Sequence, residues 1–244
     1  MQEHQIWLTA LFNRYLNYGA HMVLSAVNVR HDPYYPWANW LVMELLVVFI
    51  IVALFAILRS RLSAQNPGKL QLTFEAIHSF LTDETKQVVE HHGDRYLSFF
   101  GTIFIFILFM NLIGLIPGLE SPTMFPMVPC GCAVAVFVYY NWVGIRDAGL
   151  VKYLAHFAGP VWWLAPLMIP IEIISHLARP LSLTIRLFAN MFAGEQVTMA
   201  FMSLIALAVP AIFMGLHVFV ALLQAYIFAL MAMIYVGGAV SEEH

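Results

Sequence analysis

Long apolar stretches alternate along this chain with short charged ones. The first, residues 40–58, holds Glu44 as its single charge, with Trp37 and Trp40 at one boundary and Arg59 and Arg61 at the other. Aromatic and basic flanks of this kind mark the two interfaces of a bilayer span. A polar, proline-containing turn over 64–69 follows. Residues 70–93 differ in pattern: Leu70, Phe74, Ile77, Leu81 and Val88 make an apolar stripe, while Glu75, Asp83, Glu84, Lys86 and Glu90 stay wet. That predicts an amphipathic helix at the membrane surface, with His91 and His92 solvated at its polar end. A second span is predicted over 96–116, closed by Pro117 and Gly118, and a shorter third over 130–143. Near the N-terminus, Ile6, Trp7, Ala10 and Leu11 recur at helical spacing and predict a short surface helix.

From 161 to 240 only Glu172, Arg179, Arg186 and Glu195 are charged. The 29 residues of 166–194 would reach about 44 Å as a helix, and the 45 of 196–240 about 68 Å, against a hydrocarbon core of about 30 Å. A turn near Pro210 would shorten the second but leave a loop without a polar residue. The favoured reading is a hairpin of two long, steeply tilted helices. The expected fold is an all-α integral membrane protein with about five membrane helices and one cytoplasmic amphipathic surface helix. Residues 1–36 form an extracytoplasmic segment and 37–244 a single transmembrane domain, with the hairpin at 161–240.

Composition agrees. Of 244 residues 61% are hydrophobic and 10% charged, whereas soluble domains run near ~25% charged. A soluble enzyme, a nucleic-acid binder and a disordered chain are excluded together, and the net charge of −3 gives no basic surface for phosphate backbones. Cys130 and Cys132 are too close to staple distant elements, and they read as small residues opening an apolar helix. No metal or cofactor is expected, and the N-terminus lacks the basic region of a signal peptide. Arg59, Arg61, Lys69, Lys86, Arg95, Arg146 and Lys152 fall on one side of the predicted spans, Arg14 and Arg30 on the other. The positive-inside rule then places the N-terminus outside and the surface helix and C-terminus in the cytoplasm.

A charge at the bilayer centre costs at least ~2.5–3.5 kcal/mol, so the charges that remain in the hairpin point to function. Glu172, Ser175, Arg179, Ser182, Arg186, Asn190 and Ala193 follow steps of three and four and share one helix face. His217, Ala221, Gln224, Phe228 and Tyr235 do the same on the last helix, and two such faces packed together would line a hydrated path. Glu172 and Arg179 are spaced to pair. Arg186 has only Ser182 and Asn190 as helical neighbours, Glu195 projects nearly opposite, and arginine does not deprotonate. Its anion must come from another element or another chain. Glu195 and His217 are the titratable groups suited to moving protons.

The segment RPLSLTIRLFANMFAGE, residues 179–195, closely resembles the signature of subunit a of the membrane sector of bacterial F-type ATP synthases. NPGKLQ (66–71), NLIGLIPG (111–118), GIRDAGLVKYLAHFAGP (144–160) and LLQAYIF (222–228) resemble further segments of that family, in its order. The resemblance implies a proton-translocating stator facing a rotating ring of c subunits and held by the b subunits of a peripheral stalk, in a bacterial inner membrane. It implies that Arg186 is the essential arginine. Asn190, Glu195, His217 and Gln224 then belong to two proton half-channels, with Glu172 at a lesser polar position and Ser182, Arg179 and Ser175 supporting that face. Ala189 stands where the family often has Gly, and Met127 and Pro129 where Asn and Thr are common. The chain has no phosphate-binding loop and is expected not to be catalytic by itself. Protons are favoured over sodium because Glu195 and His217 titrate. Two other readings compete: a stand-alone proton-coupled transporter, against which the lack of internal repeats counts, and a haem protein using His176 and His217, which would need both at matched depth.

Overall fold

The computed structural model describes residues 6–18, 36–63, 65–89, 93–116, 118–149, 153, 165–204 and 208–240. Every regular element among them is helical: α1 (Trp7–Tyr15), α2 (Asn39–Ser60), α3 (Lys69–Val88), α4 (Leu97–Ile113), α5 (Met127–Ala148), α6 (Ala165–Leu204) and α7 (Ala208–Val240), with 3₁₀ turns at Gly93–Arg95 and Pro122–Met124. By length and apolar character α2, α5 and most of α7 qualify as membrane spans, while α4 is equally apolar but has only 17 residues. His91, His92, Lys152, most of residues 150–164 and the last four residues lie outside the described residues.

α4 sits at the centre. Phe100, Ile107, Met110 and Asn111 on it are completely buried. α7 packs beside it through Ala221, Ala225, Ala229 and Ala232, also fully buried. Lipid is as apolar as a side chain, so membrane helices associate by close packing, and a row of alanines lets two backbones approach. α2 lies against α4, while α5 contacts both α6 and α7.

Two predicted features change. On α3 the apolar stripe begins later than expected, because Leu70 is exposed and Phe74, against the Phe55 ring at 5.2 Å, is its first packed member. Gln71 is buried instead. Its Nε2 donates to the Ser63 carbonyl at 3.1 Å and its Oε1 accepts from the Ser63 N–H at 3.1 Å, closing the turn between α2 and α3. Farther along, Leu81 and Thr85 are buried, the Tyr226 hydroxyl of α7 donates to Glu84 at 3.1 Å, and a Cβ on Gly237 would stand 3.0 Å from the Val88 carbonyl oxygen.

The second change concerns the hairpin. The first long helix does not end at Gly194 but continues through Glu195 to Leu204, giving α6 40 residues, and α7 has 33 from Ala208. Residues 205–207, between these helices, lie outside the described residues. Nothing polar near Glu195 ends the first helix, because Gln196, Val197 and Thr198 all keep helical backbone and the Thr198 hydroxyl donates back to the Gly194 carbonyl at 2.8 Å. Pro170 and Pro180 lie inside α6, where each withholds one backbone N–H, as membrane helices tolerate. At about 60 Å and 50 Å, both helices exceed the ~30 Å hydrocarbon core.

Candidate functional site

α6 buries Leu183, Leu187, Met191 and Glu195, spaced by four, against the rest of the chain. The predicted polar face lies elsewhere on the helix: Ser175, Ser182, Asn190 and Ala193 are exposed and Glu172, Arg179 and Arg186 half-buried. This face therefore does not pack wholly against α7. Leu183, Leu187 and Met191 take the inward position, and the arginine face is left largely uncovered by this chain. On α7, by contrast, His217, Ala221, Gln224 and Phe228 are all buried.

Three clusters line up along α6. At one end the helices meet closely: a Cβ on Gly194 would lie 3.3 Å from Nδ1 of His217, so the glycine seats the imidazole directly on the α6 backbone. Asn190, Ala193, Gly194, Thr198 and His217 border a cavity of about 180 Å³ here. Glu195 and His217 are each 8% exposed, and among the described residues Glu195 Oε2 and His217 Nε2 have no hydrogen-bond partner. Buried polar atoms are normally paired, and exceptions concentrate where chemistry or ordered water requires them.

In the middle stands Arg186. Among the described residues it makes no ion pair and no hydrogen bond.

At the other end most polar groups have partners, though the Tyr140 hydroxyl is buried with no hydrogen-bond partner among the described residues. Arg179 Nη2 lies 4.0 Å from Glu172 Oε1, the pair foreseen from their spacing. The guanidinium carbon stands 5.4 Å from the Tyr235 ring centre and 5.9 Å from that of Tyr140. His176 Nε2 is 3.0 Å from Asn141 Oδ1, which also accepts from the Tyr153 hydroxyl at 2.8 Å. Burial raises the pKa of the Tyr153 phenol, which keeps it a donor. A Cβ on Gly144 would stand 2.6 Å from Cε2 of Tyr153, so only a glycine admits that ring between α5 and α7.

Sequence reasoning did not single out several of these residues. Asn111, wholly buried on α4, accepts from the Thr123 hydroxyl at 2.8 Å and donates to the Ala221 carbonyl at 3.3 Å. A Cβ on Gly114 would lie 3.0 Å from the Ser121 backbone nitrogen, and Gly118 turns the chain with φ +90°. These contacts explain the NLIGLIPG motif as a clamp that holds the 3₁₀ turn against α4 and ties α4 to α7. Glu120, just past that motif, accepts from Asn39 at 3.5 Å and lies within electrostatic range of Glu195. Asn111 and Asn141 were legible as lone amides in apolar spans; Glu120 carried no signal of its own.

The haem reading fails on geometry. His217 sits against Gly194, and His176 lies 18 residues earlier on α6, about 27 Å along the axis, so the two cannot share one haem. Cys130 and Cys132 are both unbridged, on α5.

The family described as ATP synthase A chain matches residues 41–237. The ATP synthase subunit a of Solibacter usitatus is 62% identical over 234 residues, covering 96% of this chain and all of that protein. That of Koribacter versatilis is 46% identical over 99% of both chains, and ATP synthase subunit a 1 of Syntrophotalea carbinolica is 46% identical over 82% of this chain and 84% of its own. A stand-alone transporter is not what these relatives are named for, and the stator reading is favoured over it. With a matching family that spans most of its length and relatives alike from end to end, the chain belongs to the ATP synthase subunit a family.

Proposed function

We infer that the chain is the proton-translocating stator of a rotary ATP synthase, working against a turning ring of c subunits and braced by the b subunits of a peripheral stalk. The observation that carries this is Arg186: a permanent cation midway along a 40-residue, largely apolar helix, half-buried, on the face its own chain leaves uncovered, with no anion among the described residues. A carboxylate on the ring would complete it.

In this reading five membrane elements, α2 and α4 to α7, lie in a bacterial inner membrane with α6 and α7 steeply tilted. α3 lies along the cytoplasmic surface, the N-terminus is outside and the C-terminus inside. A proton from outside reaches Glu195 and His217, with Asn190 and Gln224 beside them, and neutralises a ring carboxylate. The neutral carboxyl can face lipid, which its charged form cannot. After almost a full turn it loses the proton to a second half-channel, on the Glu172 side of α6. Arg186 separates the two paths, with Ser175, Arg179 and Ser182 supporting its face. The chain binds no nucleotide and is not catalytic by itself. Protons rather than sodium ions fit, because the outer cluster has two titratable groups where a sodium site would have several neutral oxygens.

The test uses inverted membrane vesicles holding the whole complex. Wild type should acidify its interior on ATP addition, and Arg186→Lys should abolish that, since lysine keeps a charge but loses the planar fork and sheds its proton when desolvated. Near-normal acidification by Arg186→Lys would remove arginine's special role.

A further inference from the structure

An apolar groove of about 310 Å³ lies between α2, α3 and α4, lined by Leu58 and Leu62 on α2, Ile77 on α3, and Leu97, Gly101 and Ile105 on α4. Two features keep it open. The Phe55 and Phe74 rings, 5.2 Å apart on its wall, brace α2 against α3. Gly101 gives α4 no side chain there, and a Cβ on it would meet only Leu81 Cδ1 at 3.9 Å. Unfilled, such a groove leaves its lining without partner atoms on one side, and in a bilayer the material at hand to fill it is an acyl chain. Its size suits a single extended chain of methylenes, not a helix about 10–12 Å across with its side chains.

The turn between α2 and α3 brings both signs of charge to this groove. Arg59 and Arg61 flank the lining leucines of α2 and are exposed, and Lys69 lies across the turn that Gln71 closes. None of the three makes an ion pair among the described residues. On α3, Gln71, Glu75 and His78 line the groove at steps of four and three, so they share one side of that helix. Gln71 Nε2 donates both to the Ser63 carbonyl and to Glu75 Oε1, the latter at 2.8 Å. That fixes the carboxylate and leaves its Oε2 open to a further donor.

Cations on one lip and a held carboxylate on the other match a zwitterion. We propose that the groove binds one phospholipid with an ethanolamine headgroup: an acyl chain lies between α2, α3 and α4, the phosphate meets Arg59 and Arg61, and the ammonium donates to Glu75. Guanidinium and phosphate pair through charge-assisted hydrogen bonds, as do ammonium and carboxylate. A glycerol headgroup brings the phosphate without the ammonium. A choline headgroup brings a cation without an N–H to donate. The lipid then completes the packing of α3 against the spans. This depends on the chain lying in a membrane and not on the stator reading.

The experiment reconstitutes the whole complex in vesicles of mixed ethanolamine, choline and glycerol phospholipids. Each batch is doped with a photoactivatable analogue of one of the three, with a diazirine midway along an acyl chain. After illumination, labelled peptides are identified by mass spectrometry at equal amounts of assembled complex. The ethanolamine probe should label residues 74–81 and 97–105 more strongly than the other two, and unlabelled ethanolamine lipid should compete it away. Gly101→Leu fills the groove and should abolish that labelling. Glu75→Gln keeps an acceptor for Gln71 and loses only the charge, so it should lower the preference for ethanolamine over choline about fivefold. It decides the matter if Gly101→Leu assembles poorly. Replacing Arg59 and Arg61 together with glutamine should weaken labelling by all three probes, since each carries the phosphate. Equal labelling by the three probes, stronger labelling by the glycerol probe, or labelling indifferent to both Gly101→Leu and Glu75→Gln would overturn the proposal. A groove that no lipid probe reaches would overturn it too, and would mean that another polypeptide of the complex covers this face.

Discussion

Arg179 and Arg186 lie two turns apart on the same face of α6, yet their surroundings differ in kind. Arg179 has a carboxylate at 4.0 Å and two aromatic rings within 6 Å, and it can be understood from this chain alone. Among the described residues Arg186 has none of these. The contrast is softer at the helix ends: beyond Arg179 a histidine, an asparagine and a tyrosine bond one another although the Tyr140 hydroxyl beside them has no hydrogen-bond partner, while beyond Arg186 Glu195 and His217 are buried with one polar atom each unpaired among the described residues. A saturated site holds its geometry within one subunit. An unsaturated one awaits water or a partner, and a charge left so inside a membrane persists only where assembly completes it.

The largest effect should come from breaking the contrast at its centre. Arg186→Ala removes the barrier between the two half-channels, so vesicles should both lose ATP-driven acidification and show a passive proton leak well above wild type. A tight membrane after that substitution would mean that something other than Arg186 keeps the paths apart.

Next in size is the unsaturated end. Replacing Glu195 or His217 with leucine should slow proton conduction about tenfold while leaving the complex assembled, because the relay loses a titratable group. Conduction at the wild-type rate in both variants would make these residues structural. The smallest effect should fall on the saturated end. The Glu172 and Arg179 side chains are each about a third exposed, 32% and 34%, so their pair contributes no more than ~1 kcal/mol. Arg179→Lys keeps the charge and its contact with the tyrosine rings, and pumping should change less than about twofold. A loss as complete as that of Arg186→Lys would erase the distinction between the two arginines.

Much of this was readable from residue order. Charged residues are so costly in lipid that Glu172, Arg179, Arg186 and Glu195 announced themselves, and the 3.6-residue repeat placed the face that Glu172, Arg179 and Arg186 share without any coordinates. The apolar helices α2, α4 and α5 came from apolar length, and the Glu172–Arg179 pair from spacing. What pattern could not supply was facing. A helix apolar all round gives no sign of which side meets lipid and which meets protein, because both are equally apolar. So the burial of Leu183, Leu187 and Met191 in place of the arginine face was visible only in the packed structure, as was the continuation of α6 past Glu195. The same holds for the amides. Asn111 and Asn141 were conspicuous as polar residues in apolar stretches, but their partners, Thr123 and Ala221 for one, Tyr153 and His176 for the other, lie on different elements. The order of residues determined that this chain crosses a membrane and carries an unneutralised cation within it; only the packing of α5, α6 and α7 decided which histidine meets a bare glycine and which meets an asparagine, since such contacts depend on how helices distant in sequence come together.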